Sequence, residues 1–163
     1  MSYKSVELIV PCYNEEPCIE LFYSRIMQVF QDLSDYRFII TFIDDGSKDN
    51  TLKEIKRVEQ QAEEETVRYF SLSRNFGKES AIYAGLENSI GDYVAVMDAD
   101  LQHPPELLKE MLKAIVEEGY DCASARRTSR KGEPMIRSLG ARLFYQLINR
   151  ITVIDLVPGS TDY

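Results

Sequence analysis

Short apolar runs alternate with amphipathic stretches along most of the chain. Residues 6–10 and 38–43 are rich in β-branched and aromatic side chains, and residues 67–72 and 93–97 are similar. Runs of this length and composition predict buried strands of a parallel sheet. Between them the period changes to that of a helix. Over 17–33, Ile19, Phe22, Ile26, Val29, Phe30 and Leu33 fall on one face, which predicts an amphipathic helix. Residues 50–65 predict a charged helix anchored by Leu52, Ile55 and Val58, and 79–90 and 105–118 predict two more. Asp49-Asn50-Thr51 and His103-Pro104-Pro105-Glu106 have the cap residues or early prolines of helix starts.

Strand and helix repeated in this way predict an α/β fold: an open, mostly parallel sheet with helices on both faces. With no internal repeat, low-complexity tract or linker, residues 1–163 are expected to form a single domain. In such sheets ligands bind beyond the C-terminal ends of the strands, near a switch in strand order. The segments that follow the strands therefore matter most. They are Tyr13-Asn14-Glu15-Glu16, Asp44-Asp45-Gly46-Ser47, Ser73-Arg74-Asn75-Phe76-Gly77-Lys78 and Asp98-Ala99-Asp100.

Composition narrows the partners. The chain is 44% hydrophobic and 28% charged, enough apolar content for a core, and its net charge of -8 argues against general nucleic-acid binding. The charge is uneven, however. Arg126, Arg127, Arg130, Lys131, Arg137, Arg142 and Arg150 stand against Glu133 alone between Cys122 and Arg150. A basic stretch on an acidic protein suits phosphates or an anionic membrane surface, or is simply a solvated helix face. Cys12, Cys18 and Cys122 have no CxxC spacing, so neither a disulfide framework nor a zinc site is expected, and a reducing compartment fits. Neither a signal-peptide pattern nor an apolar run of the roughly 18 residues needed for a membrane helix is present.

Asp98 and Asp100 are two apart, so in an extended segment both carboxylates face one site. They repel each other unless a cation is near, and Mg²⁺ or Mn²⁺ takes such hard oxygen ligands together with substrate phosphates. An Asp-x-Asp alone is also a common loop. Asp44 and Asp45 divide between an Asx-type turn with Gly46 and acceptance of hydrogen bonds from a base or ribose. Arg74 and Lys78 either reach phosphate or are solvated. His103 is a first-turn surface residue or a third metal ligand, and Tyr13 either stacks on a base or packs at the strand end. The chain has neither a P-loop nor a GxGxxG, so a metal and basic side chains would have to hold phosphate.

Taken together, Val10-Pro11-Cys12-Tyr13-Asn14-Glu15-Glu16, Ile43 to Thr51, Asn75-Phe76-Gly77-Lys78 and Met97-Asp98-Ala99-Asp100-Leu101-Gln102-His103-Pro104-Pro105-Glu106 resemble a family 2 glycosyltransferase of GT-A fold. Residues 73–81 and 98–106, with Arg127, Arg130, Gly132 and Glu133, resemble the branch that charges polyprenyl phosphate with a sugar. That branch includes the bactoprenol glucosyltransferases and dolichol-phosphate mannose synthases. The resemblance implies that Pro11, Tyr13 and Asp45 line a uridine or guanosine pocket, with Glu15, Asn75, Lys78 and Ala99 also at the donor. It implies that Asp98 reaches ribose or the metal shell, that Asp100 ligates Mg²⁺ or Mn²⁺, and that Gln102 sits near the sugar. Arg127 and Arg130 would hold phosphate, and Asp162 matches the acidic position near the acceptor. Because the chain stops at Tyr163, just inside that segment, the resemblance implies a domain incomplete on its acceptor side.

The reaction implied is inverting transfer from a UDP-sugar, with a GDP-sugar less favoured, to a polyprenyl phosphate at the cytoplasmic face of the membrane. A hydroxyl acceptor is the alternative, and it would make Asp162 a general base. Over 137–151, Leu139, Leu143, Phe144, Leu147, Ile148 and Ile151 mark one helical face with Arg137, Arg142 and Arg150 off it. That pattern fits a membrane-surface helix, or equally a core helix. A homo-oligomer is compatible with the sequence. A nucleotidyltransferase, a phosphohydrolase with a nucleophilic Asp, and a non-catalytic nucleotide-sugar-binding module are the rival readings.

Overall fold

A computed structural model describes residues 3–63 and 66–125. The elements alternate as expected: β1 (Lys4–Cys12), α1 (Ile19–Gln31), β2 (Tyr36–Asp44), α2 (Thr51–Gln61), β3 (Val67–Ser71), α3 (Lys78–Glu87), β4 (Tyr93–Val96) and α4 (Leu107–Val116). The chain divides into two compact units, residues 1–109 and 110–163. The sheet and the cavities described below belong to the first. Within the second, the described part consists of the end of α4 and residues 117–125.

The sheet is four-stranded, in the order β3-β2-β1-β4, and every pairing is parallel. The order runs outward from β1 through β2 to β3 and then returns to β1's other side for β4. The switch in direction therefore falls between β1 and β4. Leu8, Ile9 and Val10 are fully buried at the centre of the sheet, as are Ile40, Phe42 and Ile43 beside them.

Neighbouring residues of a strand point to opposite faces, so β2 shows what covers each side. Phe42 meets Phe22 of α1 edge-on at 6.0 Å, and Phe38 stacks on Phe30 of α1 at 3.8 Å. Ile43, on the other face, packs with Ile9 and Ala81 of α3. Helices thus cover both faces. The approach of α3 is unusually close because Gly85 has no side chain. A Cβ there would lie 2.5 Å from Cγ2 of Ile9 and 3.3 Å from Cγ1 of Ile43.

All six apolar residues expected on the inner face of the first helix are buried, from Ile19 to Leu33. The second helix differs in one respect. Ile55 and Val58 anchor it, but Leu52 is only half-buried, and the inner position of its first turn is taken by the fully buried Thr51. The Thr51 hydroxyl accepts the Glu15 amide at 2.8 Å, which makes a polar residue worth burying there. The helix also ends at Gln61 rather than near 65, where Ala62 turns to extended backbone.

Candidate active site

The loops after β1 and β2 are laced together. The Asn14 amide donates to the Ser47 hydroxyl at 3.0 Å, and the Asn14 side-chain oxygen accepts the Lys48 amide at 2.8 Å. Glu16 accepts from the amide and side chain of Asn50. Asn14 sits at φ 55, a left-handed conformation that asparagine tolerates and that turns Glu15 and Glu16 back toward α2. Asp49 accepts from the Thr51 amide and hydroxyl and from the Glu16 amide. Burial pushes its carboxyl up, but these bonds outweigh that and bring it below its ordinary value.

Asp44 ends β2, Asp45 follows it, and both are 2% exposed. Asp44 accepts the Ser47 amide at 3.1 Å and the Ser71 hydroxyl at 2.8 Å, which makes it an Asx-type turn residue. Asp45 reaches the next loop instead, accepting the Phe76 amide at 2.8 Å on one oxygen and the Gly77 amide at 2.9 Å on the other. Gly46 makes this possible. At φ +66 it lies so close to the loop that a Cβ would fall 2.4 Å from the carbonyl carbon of Arg74. Asp45 therefore fixes the start of α3, and with it Lys78, the helix's first residue.

Lys78 points at the segment after β4. Its Nζ lies 2.8 Å from each carboxylate oxygen of Asp98. Ala99 is buried, and Asp100 turns outward, exposed, with one oxygen accepting the Gln102 amide at 3.0 Å. Arg74, by contrast, stacks its guanidinium 4.7 Å over the Phe76 ring within its own loop.

These pieces enclose a cavity of about 290 Å³ at the C-terminal ends of β1, β2 and β4, beside the switch in strand order. Its lining brings together Pro11, Tyr13, Glu15, Asp45, Asn75, Lys78, Asp98, Ala99 and Asp100, all named above as donor residues. Gln102 lies elsewhere, exposed in an adjoining groove with Leu21, Arg25 and Pro105. Arg127, Arg130 and Asp162, and the 137–151 segment, fall outside the described residues.

Two lining residues were missed from sequence, Cys12 and Ala81. Ala81 was legible: it follows Lys78 by three positions and precedes Gly85 by four, so the three share a helix face. Cys12 is the last residue of β1, between Pro11 and Tyr13, and strand alternation would turn its side chain away from theirs. Burial first, then the Glu15 carboxylate, pushes its thiol well above the ordinary value, so it stays neutral and unreactive. The cavity wall is thus acidic, with Glu15, Asp45, Asp98 and Asp100 against Lys78 alone. Among the described residues no group of three or more His, Cys, Asp or Glu side chains converges as a complete metal cage. Two carboxylates that leave coordination places for substrate oxygens match the way Mg²⁺ or Mn²⁺ is held with phosphates.

An α/β sheet of this order with a carboxylate-rich cavity at its switch point is the GT-A arrangement. The fold matches the mannosyltransferase PcManGT from Pyrobaculum calidifontis, in complex with GDP-Man and Mn²⁺, at a TM-score of 0.61 and 24% identity over 71% of this chain and 33% of that one. It also matches glucosyl-3-phosphoglycerate synthase from Mycobacterium tuberculosis, in complex with Mn²⁺, UDP and phosphoglyceric acid, at 0.61 and 22% over 96% and 52%. The chain belongs to glycosyl transferase family 2, whose pattern matches residues 7–159. It is 45% identical over 97% of its length to CsbB of Bacillus subtilis (strain 168), provisionally named a glycosyltransferase. It is 37% identical over 97% of its length to the bactoprenol glucosyl transferase of Shigella phage SfV. The chain spans about half the length of these relatives, 46% and 50%. Family membership sets the nucleotidyltransferase and phosphohydrolase readings aside.

Proposed function

We propose that this chain binds a nucleoside diphosphate sugar together with Mg²⁺ or Mn²⁺, and that the protein transfers the sugar with inversion to a polyprenyl phosphate at the cytoplasmic face of the membrane. The observation that carries the proposal is the convergence of Asp98 and Asp100 with Tyr13, Asp45 and Lys78 on one cavity at the switch point. A diphosphate is anionic and so is the cavity wall, so donor and wall need a cation between them. The GDP-Man, UDP and Mn²⁺ bound in structures sharing the fold support this reading, as does the bactoprenol glucosyl transferase among the relatives.

In this reading Tyr13, 39% exposed at the rim, offers a ring face to the base. Pro11 gives an apolar wall, and Asp45, whose oxygens each hold one loop amide, has lone pairs left for a base N–H. A carboxylate here can accept the single N–H of uracil or the adjacent N–H groups of guanine, so UDP is the first donor to test and GDP the second. Asp98 and Asp100 would hold the metal, which neutralises charge growing on the departing diphosphate. The acceptor oxygen forms the new bond at the anomeric carbon while the bond to the diphosphate breaks on the opposite face. A lipid phosphate arrives already ionised, so it needs positioning and charge screening, the role given to Arg127 and Arg130. Asp162 would serve as a base only for a hydroxyl acceptor.

The test is thermal stabilisation of the chain by UDP, GDP and CDP, each with and without Mn²⁺. UDP with Mn²⁺ is expected to raise the melting temperature, neither alone should match it, and Asp100→Ala should abolish the gain. Stabilisation that persists in Asp100→Ala would remove the metal role, and none with any nucleotide would remove the donor site.

A further inference from the structure

The ammonium of Lys78 bridges both oxygens of Asp98 at 2.8 Å while leaving Asp100 untouched. Both partners stay partly open to the cavity, with side-chain exposures of 42% and 28%, so the pair can separate without unpacking anything. The position of Lys78 is not accidental: Asp45 grips the amides of the two residues before it, and so places the first turn of α3. The carboxylate that would serve a metal therefore already has a cation of the chain's own.

We infer that Lys78 is a built-in counter-ion that keeps Asp98 from binding a divalent ion until the donor arrives. The inference rests on the donor-site reading above. A diphosphate entering the cavity offers the ammonium a second anion. When Lys78 turns to it, Asp98 is released to the metal that the same diphosphate brings. Metal and nucleotide then bind as a coupled pair, and each raises the other's affinity by the same factor. A free metal ion has to displace the ammonium and gains no phosphate oxygens in return. Lys78 thus acts as a positioning residue for the metal as well as a phosphate contact.

Mn²⁺ binding to the whole 163-residue chain, followed by the electron paramagnetic resonance of the free ion, tests this without any turnover. The wild-type chain should bind Mn²⁺ weakly alone and far more tightly with UDP. Lys78→Met should bind Mn²⁺ alone about tenfold more tightly, the scale expected when one partly exposed positive charge is removed from beside a metal-binding carboxylate. The enhancement by UDP should shrink by a similar factor. Lys78→Arg, which keeps the charge, should stay weak for metal alone. Equal Mn²⁺ affinity in wild type and Lys78→Met would overturn the counter-ion role while UDP-dependent binding kept the donor site. Tightening in Lys78→Arg equal to that in Lys78→Met would overturn it too, because charge would not be the cause. If wild type bound no Mn²⁺ even with UDP, the donor site would fall and the counter-ion with it.

Discussion

Asp44 and Asp45 are consecutive and equally buried, yet they turn to different partners. Asp44, the last residue of β2, holds the turn after it and the Ser71 hydroxyl of β3, and Asp45 reaches across to the loop before α3. That both strand-end aspartates sit at functional loops was legible in the sequence, and so was the turn role of one of them. Which neighbour Asp45 would hold was not, because the partner amides of Phe76 and Gly77 are 31 and 32 residues away. Hydrogen bonds to a charged group contribute about 1.5–3 kcal/mol each, and a buried amide left unpaired costs more than a missing attraction. Asp45→Ala is therefore expected to destabilise the chain by about 3 kcal/mol in urea unfolding. Asp45→Asn, which can still accept one amide, should lose about half of that. A loss under about 1 kcal/mol in the alanine variant would mean that the loop holds itself and that Asp45 is free for the ligand alone.

At the scale of elements, strands and helices were readable because their apolar periods differ, 2 for one and 3.6 for the other. Helix ends were less so: nothing near Ala62 marks where the periodic signal stops, and the third helix ends at Glu87, short of the expected 90, where Asn88 caps it. Polar residues buried by tertiary pairing were equally hidden. Glu7 lies in the middle of an apolar run, fully buried, and accepts the Thr41 hydroxyl, the Arg68 guanidinium and the amides of Ile90 and Gly91. It ties β1 to β2, to β3 and to the chain entering β4, and none of these partners is local. A second tie joins the start of β1 to the chain entering β4. Asp92, just before β4, accepts the Lys4 ammonium at 2.7 Å and the Ser5 amide at 2.9 Å. The Lys4 ammonium first, then the Ser5 amide and hydroxyl, hold the Asp92 carboxyl down to about 2. Its unfolded value is about 3.9. The folded state therefore gains from the charged form above about pH 4 and loses that gain as pH falls toward 2. Asp92→Asn should be less stable than wild type at neutral pH, and the gap between their unfolding midpoints should close over that interval. A gap of constant size from pH 7 to 2 would show that the charge of Asp92 contributes nothing.

For the whole molecule, the cavity draws only on residues between Pro11 and Asp100, whereas the family pattern extends from 7 to 159 and the relatives are about twice this chain's length. In the proposed reading the acidic cavity serves the donor, and the basic stretch from Arg126 to Arg150 is left for the acceptor. Among the described residues no helix is long and apolar enough to cross a membrane. In the proposed reading a lipid-phosphate acceptor is met at the membrane surface, and the sequence of 137–151, with three arginines off an apolar helical period, has the composition for it. Each basic residue near an anionic surface contributes about 1 kcal/mol, so the three together are worth about 3 kcal/mol, roughly a hundredfold in affinity. The chain is expected to co-sediment with vesicles containing phosphatidylglycerol and not with neutral phosphatidylcholine vesicles. Added salt should weaken that binding, because screening shortens the reach of surface charge. Arg137→Gln, Arg142→Gln and Arg150→Gln combined should reduce it by about two orders of magnitude, at unchanged stabilisation by UDP and Mn²⁺. Equal binding to neutral vesicles, or indifference to salt, would remove the membrane surface from the proposal and shift the acceptor toward a soluble hydroxyl, with Asp162 as its base. A parallel loss of nucleotide stabilisation in the triple variant would instead place the basic stretch in the donor site, where its charge would serve the diphosphate rather than a lipid.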